Sequence, residues 1–305
     1  MNKANAQSLV FFGTGQTSLD ALRTLSEEFE IEAVITKPDD TRHSKARPSE
    51  VAAWARQNAI SVYKPTNKQE LSTLVAEKKF HSQLGVVLDY GVIIPEDVID
   101  SFEHGIVNSH FSLLPAWRGA DPIRAAILHG DAVTGVTIML IVPELDAGPI
   151  LSWAEVSLDD TTNAIDLRNQ LSELNCALLP ETIRLYVSGD IEAVQQDEVA
   201  ATFTTKTHKE DGLLNPNLHA KQLVRQINAF IGWPKSYFDW NDNKVVITKA
   251  LASTHAAPLG TLSADTNKLY FGCKDGSLEI VEIQPAGKKP MDARSFINGY
   301  KNLLH

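Results

Sequence analysis

The sequence predicts an α/β protein: a doubly wound, mostly parallel (Rossmann-like) sheet domain followed by a small β-barrel. Three observations predict it. Short β-prone runs alternate with helical patterns from Ser8 to about residue 188, the rhythm of strand–helix–strand units. Beyond residue 208 that rhythm gives way to short β-prone runs separated by Asn, Asp and Gly turns. The 305 residues are too many for one average domain and fit two.

The first strand is Ser8–Phe12, an apolar run that meets Gly13-Thr14-Gly15 and a helical pattern over Ser18–Phe29. Ile31–Thr36 is the second strand, ended by the turn chemistry of Lys37-Pro38-Asp39-Asp40. A polar loop carrying Arg42, His43, Lys45 and Arg47 leads to a helix over Ser49–Asn58, with Ser49 as N-cap. Ser61–Tyr63 reads as a short strand, Gln69–Lys79 as a helix and Ser82–Leu88 as a buried strand. Pro95–Ser101 is a short helix and Gly105–Ser109 the next strand. Ala120–His129 is helical and Thr134–Val142 a strand. Thr161–Ser188 is one long helix that Pro180 should kink or break.

In the tail, a helix over Ala220–Phe230 precedes Val245–Ile247, Lys268–Phe271 and Leu278–Gln284, with turns at Asn241-Asp242-Asn243 and Asp275-Gly276. Short strands and turns of this kind suggest a barrel of the oligonucleotide-binding (OB) type. The expected division is a sheet domain over 1–190, a linker over 191–208 and the barrel domain over 209–305.

Composition narrows the function classes. Hydrophobic residues make up 43% and charged residues 22%, the balance of a water-soluble globular chain. No apolar run approaches the ~20 residues of a membrane helix, and the N-terminal stretch has no apolar core ending at a small-residue cleavage site. Two distant cysteines, Cys176 and Cys273, suggest neither a disulfide framework nor a zinc site. The reading is therefore a cytoplasmic protein without a metal. The net charge of −10 disfavours a nucleic-acid partner for the whole chain, but it is unevenly spread. Residues 207–305 hold 12 Lys and Arg against 9 Asp and Glu, so a mildly basic tail follows an acidic body.

The chemistry concentrates in Asn108-Ser109-His110-Phe111-Ser112, directly after an apolar run. On a strand, residues two apart face the same way, so Asn108, His110 and Ser112 can line one wall. An amide can donate to a developing oxyanion, and an imidazole can move protons near pH 7. In open α/β sheets ligands sit at the carboxyl ends of strands, which puts Gly13–Gly15, Tyr90-Gly91, Asn108–Pro115 and the loop of Asp146 on one rim. Asp146 either orients the imidazole or is an Asx-turn residue. Leu113-Leu114-Pro115 is either a ligand platform or a packed turn. Trp117-Arg118-Gly119 either clamps an anion or caps a helix. Lys206, His208, Lys209, Lys288 and Lys289 either touch phosphates or are solvated. Gly13-Thr14-Gly15 lacks the third glycine of a dinucleotide fingerprint, because position 18 is serine. It reads as a tight turn. No cluster has metal-ligand spacing.

Asn108–Ile123 (NSHFSLLPAWRGADPI), with Thr134–Met139 (TGVTIM) and Leu145–Gly148 (LDAG), resembles the formyltransferase domain that uses 10-formyltetrahydrofolate. Ala229–Phe238 (AFIGWPKSYF) and Ile283–Met291 (IQPAGKKPM) resemble the C-terminal domain of the methionyl-tRNA formyltransferase family, and Val86–Pro95 (VVLDYGVIIP) fits the same family. The resemblance implies that Asn108, His110 and Asp146 are catalytic. It implies that Ser112, Leu113, Leu114, Pro115, Tyr90 and Gly91 contact the folate. The partner it implies is initiator methionyl-tRNA, held by Arg42, Lys45, Lys206, Lys209, Lys288 and Lys289, with the enzyme a monomer. In the implied reaction the methionyl amine attacks the formyl carbon, Asn108 and His110 donate to the formyl oxygen, and Asp146 orients the imidazole. Departures from the family pattern are Gly15, Ala116, Asp121, Ile141–Glu144 and a short loop after Thr36. The rival readings are a sugar-nucleotide N-formyltransferase, a 10-formyltetrahydrofolate hydrolase, and a binding protein without activity.

Overall fold

The computed structural model describes residues 7–39 and 48–304. The chain forms two compact units. One comprises Met1–Gly119, Gly135–Val156 and Gln170–Phe203, and the other Ala120–Thr134, Ser157–Asn169 and Thr204–His305. Elements follow in the order β1 (Ser8–Gly13), α1 (Gln16–Glu28), β2 (Glu30–Ile35), α2 (Glu50–Gln57), β3 (Ser61–Tyr63), α3 (Lys68–Lys78), β4 (Leu84–Leu88), α4 (Glu96–Ile99), β5 (Ile106–His110) and β6 (Arg118–Gly119). Next come α5 (Pro122–His129), β7 (Val133–Leu140), β8 (Ile150–Ser157), α6 (Ala164–Ser188) and β9 (Phe203–Thr204). The remainder is α7 (Ala220–Ala229), β10 (Ser236–Trp240), β11 (Asn243–Ser253), β12 (Leu262–Asp265), β13 (Lys268–Cys273), β14 (Gly276–Pro285), β15 (Met291–Asp292) and α8 (Ala293–Tyr300).

The first unit is built on a seven-stranded sheet of order β3-β2-β1-β4-β5-β7-β8. Strands β1 to β5 are parallel, and β7 runs antiparallel to β5. All five residues of β4 are buried, as expected of a strand covered on both faces. Strand order reverses between β1 and β4, the topological switch point of a doubly wound sheet. On one face Val10, Phe12, Ile35, Val87, Tyr90, Phe102 and Ile106 form a core, with the Phe12 ring edge-on to Tyr90 at 5.8 Å and to Phe102 at 6.1 Å.

The second unit carries a six-stranded antiparallel sheet, β10-β11-β14-β13-β12 with β15 on β14. Helix α7 packs on β11, and its core holds Leu223, Ile227, Phe238, Ile247, Phe271, Leu278 and Phe296.

Three expectations are corrected. Helix α6 runs from Ala164 to Ser188 with Pro180 inside it, so the proline does not end it. The Thr182 hydroxyl donates to the Leu178 carbonyl at 2.8 Å, a back-bond one turn along the same helix. Strand β8, unmarked in the sequence reading, occupies the sheet edge with Trp153, Glu155 and Ser157 exposed. Strand β11 extends six residues past Ile247, because irregularities at Ile247, Lys249 and Ala250 break the alternation that would have revealed it.

Candidate functional site

The rim of the first unit is built by close approach. A Cβ on Gly13 would lie 2.6 Å from the Phe11 ring and 3.0 Å from the Leu88 carbonyl, so only glycine lets β1 turn this close to β4. Ser18, where a dinucleotide fingerprint has glycine, donates to the Leu88 carbonyl at 2.5 Å and accepts from the Thr14 N–H at 3.3 Å. The Gly13–Gly15 segment is thus a locked strand-to-helix turn. One strand over, β5 ends at His110, whose register partner on β7 is Thr137.

His110 is 6% exposed. Its Nε2 lies 2.9 Å from the Trp117 carbonyl oxygen, and since a carbonyl only accepts, Nε2 carries the hydrogen. Its Nδ1 faces the Asp146 Oδ2 at 3.7 Å, too long for a hydrogen bond but within ion-pair range. Asp146 Oδ2 also accepts the Gly119 N–H at 2.8 Å. Asp146 and Trp117 have φ of +51° and +59°, in the left-handed region, so both partners of the imidazole sit on strained backbone. Asn108, two residues before His110 on β5, shares its face and is half-buried. Among the described residues no hydrogen bond engages its amide.

The structure therefore brings Asn108, His110 and Asp146 together. Nε2 of His110 is bonded to the Trp117 carbonyl and Nδ1 faces the Asp146 carboxylate without a hydrogen bond, while the Asn108 amide has no partner among the described residues.

The surrounding segments differ from expectation in how they present themselves. Ser112 does not line the wall: β5 has ended, the residue is fully buried, and its hydroxyl donates to the Ala116 carbonyl at 2.6 Å. Thr137 pins this turn, donating to the Ser112 carbonyl at 2.7 Å and accepting the Leu114 N–H at 3.1 Å. With those polar groups engaged, Leu113 and Pro115 present apolar surface, suited to a flat aromatic ring. Tyr90 is 2% exposed, its hydroxyl has no partner among the described residues, and burial pushes its pKa up to about 12. Only its backbone serves the rim, its carbonyl accepting the Thr14 hydroxyl at 3.4 Å. Gly91 has φ +67°, and the Lys37 ammonium occupies the place a Cβ would take. Lys37 is a rim cation that the sequence reading passed over.

Behind Asp146 is a polar cluster around Arg118, in which the sequence reading had left an anion clamp or a helix cap open and had not marked Gln196 or Glu198. Arg118, 2% exposed, donates to Gln196 Oε1 from Nε at 3.0 Å and from Nη2 at 2.8 Å. It forms a two-pronged pair with Glu198 at 2.9 and 2.7 Å, which raises its pKa further above the usual value. The Gln196 amide donates to the Asp146 and Gly148 carbonyls, each at 2.8 Å. Gln196 and Glu198 lie in the stretch expected to be linker, where nothing in the sequence pattern marks them.

In the second unit, cross-strand register aligns Tyr237, Val246 and Gln284 on β10, β11 and β14. The Lys244 ammonium sits 3.1 Å above the Tyr237 ring centre. Burial and then neighbouring Lys209 push its pKa down. Lys235 donates to the Gln284 side chain at 3.1 Å, and Gln284 donates to the Lys288 carbonyl at 2.9 Å. Lys209 lies near Lys244, with Asp239 and Glu210 also beside it, and the Lys288 backbone lies beside Gln284 and Lys235. Lys206 and Lys289 are exposed, and Arg42 and Lys45 lie outside the described residues.

A doubly wound sheet with an amide and an imidazole–carboxylate pair at a strand's carboxyl end has the groups that acyl transfer needs, and the family comparisons give that class. Residues 7–183 match the formyl transferase family and residues 206–301 the formyl transferase C-terminal domain, so the chain belongs to the formyl transferase family. Within it, the chain is 35% identical to methionyl-tRNA formyltransferase of Nitratidesulfovibrio vulgaris (strain DP4), over 96% of this chain and 92% of that protein. It is 34% identical to that of Thermodesulfovibrio yellowstonii over 97% of each chain, and 34% identical to that of Bacillus velezensis over 95% of this chain and 94% of that one. The methionyl-tRNA formyltransferases are therefore its family. Among solved structures, the sugar 3N-formyl transferase WlaRD, crystallised with dTDP and 5-N-formyl-THF, shares the fold at TM-score 0.70 and 17% identity, over 94% of this chain and all of that one. HypX from Aquifex aeolicus in complex with tetrahydrofolic acid aligns at TM-score 0.64 and 14% identity, over 99% of this chain and 48% of that one.

Proposed function

We propose that the chain transfers the formyl group of 10-formyltetrahydrofolate to the free amino group of methionyl initiator tRNA, producing formylmethionyl-tRNA for translation initiation. One observation carries the reading. An unengaged amide and a buried imidazole–carboxylate pair meet at one strand end, in a chain similar along nearly its whole length to methionyl-tRNA formyltransferases.

The folate supplies the formyl carbon and a nitrogen leaving group. The methionyl amine bonds to that carbon, and Asn108 donates to the oxygen on which negative charge grows. A single oriented donor is worth about 3 kcal/mol in such a role. The attacking nitrogen sheds a proton to the His110–Asp146 pair, which returns one to the folate nitrogen as the old carbon–nitrogen bond breaks. Esterification lowers the amine's basicity below the ~7.7 of an ordinary α-amino group, so neutral nucleophile is available at neutral pH. Leu113 and Pro115, with the backbone of Tyr90-Gly91, form the apolar bed for the folate.

Catalysis is assigned to residues 1–190, joined through 191–208 to an OB-like barrel over 209–305 that holds the tRNA. Lys209, Lys235, Lys244 and Lys288 contact phosphates there, in the positioning rather than the reading sense. The enzyme acts as a cytoplasmic monomer.

The deciding experiment is formyl transfer from 10-formyltetrahydrofolate to methionyl initiator tRNA, with uncharged tRNA and a nucleotide amino-sugar as parallel acceptors. Product on the charged tRNA alone supports the reading. Product on the sugar, or formate released without any amine, overturns it in favour of a sugar N-formyltransferase or a hydrolase.

A further inference from the structure

We propose that Gln196 is a positioning residue for the proton-handling pair, and that the stretch from Gln196 to Thr202 sets both partners of the His110 imidazole. This rests on the assignment of His110 and Asp146 to the reaction.

Asp146 has φ at +51°, in the left-handed region that aspartate tolerates better than most L residues. Two ties hold it. The Gly119 N–H takes the carboxylate, and the Gln196 amide takes the carbonyls of Asp146 and Gly148 on the same turn, all at 2.8 Å. Gln196 is itself fixed, because its Oε1 accepts two hydrogens from the buried Arg118 guanidinium, whose remaining edge is clamped by Glu198. Arg118 and Gly119 are consecutive, so the ring closes: backbone tie, side-chain tie, and the peptide that joins them.

The other partner of the imidazole is fixed by the same stretch. Trp117, whose carbonyl aims Nε2, has its N–H on Thr202 Oγ1 at 2.9 Å. The Arg118 N–H donates to the Thr202 carbonyl at 2.9 Å, and the Thr202 N–H to the Pro115 carbonyl at 3.2 Å. Three residues of one stretch, Gln196, Glu198 and Thr202, therefore hold the groups on both sides of His110. Arg118 and Gln196 are buried and multiply bonded, with Glu198 and Thr202 holding the cluster from its exposed side, and catalysis is sensitive to displacements of about 1 Å.

The test is a double-mutant cycle on the full chain, with rates of a single turnover measured at saturating folate and charged tRNA. Gln196→Ala is expected to lower the rate about 100-fold, with KM for both substrates within about threefold of the parent. In an Asp146→Asn background the same change is expected to alter the rate less than threefold, because Gln196 acts through Asp146. Equal losses in both backgrounds, or a rise in KM with an unchanged rate, would overturn the proposal. Should Gln196→Ala lower the melting temperature below the assay range, Glu198→Gln carries the same cycle, with an expected loss of about fivefold that vanishes in the Asp146→Asn background. Asp146→Asn with near-parental rate would instead remove the assignment of the pair itself.

Discussion

The imidazole of His110 illustrates how a residue's role is set by what faces each of its atoms. A carbonyl claims Nε2 and a carboxylate faces Nδ1, while the Asn108 amide has no partner among the described residues; in the proposed reaction Asn108 donates to the formyl oxygen. Asn108→Ala is expected to lower kcat by 10²- to 10³-fold, the usual effect of losing one oriented donor. His110→Ala should abolish measurable turnover, and both variants should keep the far-UV spectrum of the parent. Near-parental formylation by either would defeat the assignment. Tyr90 gives a prediction about stability instead. Its phenol is buried without a partner, and its pKa is raised from 10.0 to about 12. Between those values the unfolded chain has lost the proton while the folded chain keeps it, so stability is full below pH 10 and falls as pH rises toward 12. The slope is at most about 1.4 kcal/mol per pH unit. Tyr90→Phe should flatten that decline in urea titrations at pH 9 to 11, and an unchanged decline would show that the phenol is not the group responsible. Asn108 and His110 could be placed on one face from sequence because strand alternation is a local property, whereas the part of Asp146 came only from the resemblance. Gln196 was not legible, and for Arg118 the sequence left an anion clamp and a helix cap both open. The two lie 78 residues apart in the chain, and no periodicity links them.

Elements were recovered where capping and periodicity are local. Ser49 was expected as an N-cap, and its hydroxyl accepts the Ala52 N–H at 3.1 Å while also bonding the Thr36 hydroxyl at 3.0 Å. Ser49→Ala should therefore cost about 1–2 kcal/mol, read as a lower urea midpoint with an unchanged m-value. A loss below about 0.5 kcal/mol would mean the cap is replaced by water. Elements were lost where tertiary pairing overrides pattern. Strand β8 keeps Ser152 and Ala154 on its inward side, so its alternation carries little apolar contrast. Helix α8 had a readable start, since Asp292 accepts the Ser295 N–H at 2.8 Å, and Phe296 and Tyr300 recur at helical spacing. That signal went unread because strands dominate the segment before it.

At the scale of the whole molecule, the uneven charge becomes a surface. Lys244, with Lys209 near it, sits over Tyr237, and Lys235 and the Lys288 backbone lie beside Gln284, on the face of the β10–β11–β14 sheet that Tyr237 and Gln284 share. If that face holds tRNA, Lys209→Gln with Lys288→Gln should raise KM for methionyl-tRNA and leave kcat near the parental value. The salt dependence of tRNA binding should flatten by about 0.9 per charge removed. An unchanged slope would place the tRNA elsewhere. The sequence by itself determined the two-part architecture, the parallel sheet, the family, and that Asn108 and His110 share a face at the end of β5, because alternation, turns and short motifs are written in neighbouring residues. Only the tertiary structure decided which nitrogen of His110 faces which partner, and that Ser112 and the Tyr90 phenol are closed to a ligand. It alone decided that Gln196 and Arg118 stand behind Asp146. Each of these depends on atoms brought together from distant parts of the chain, and burial there fixes hydrogen bonds that no local pattern encodes.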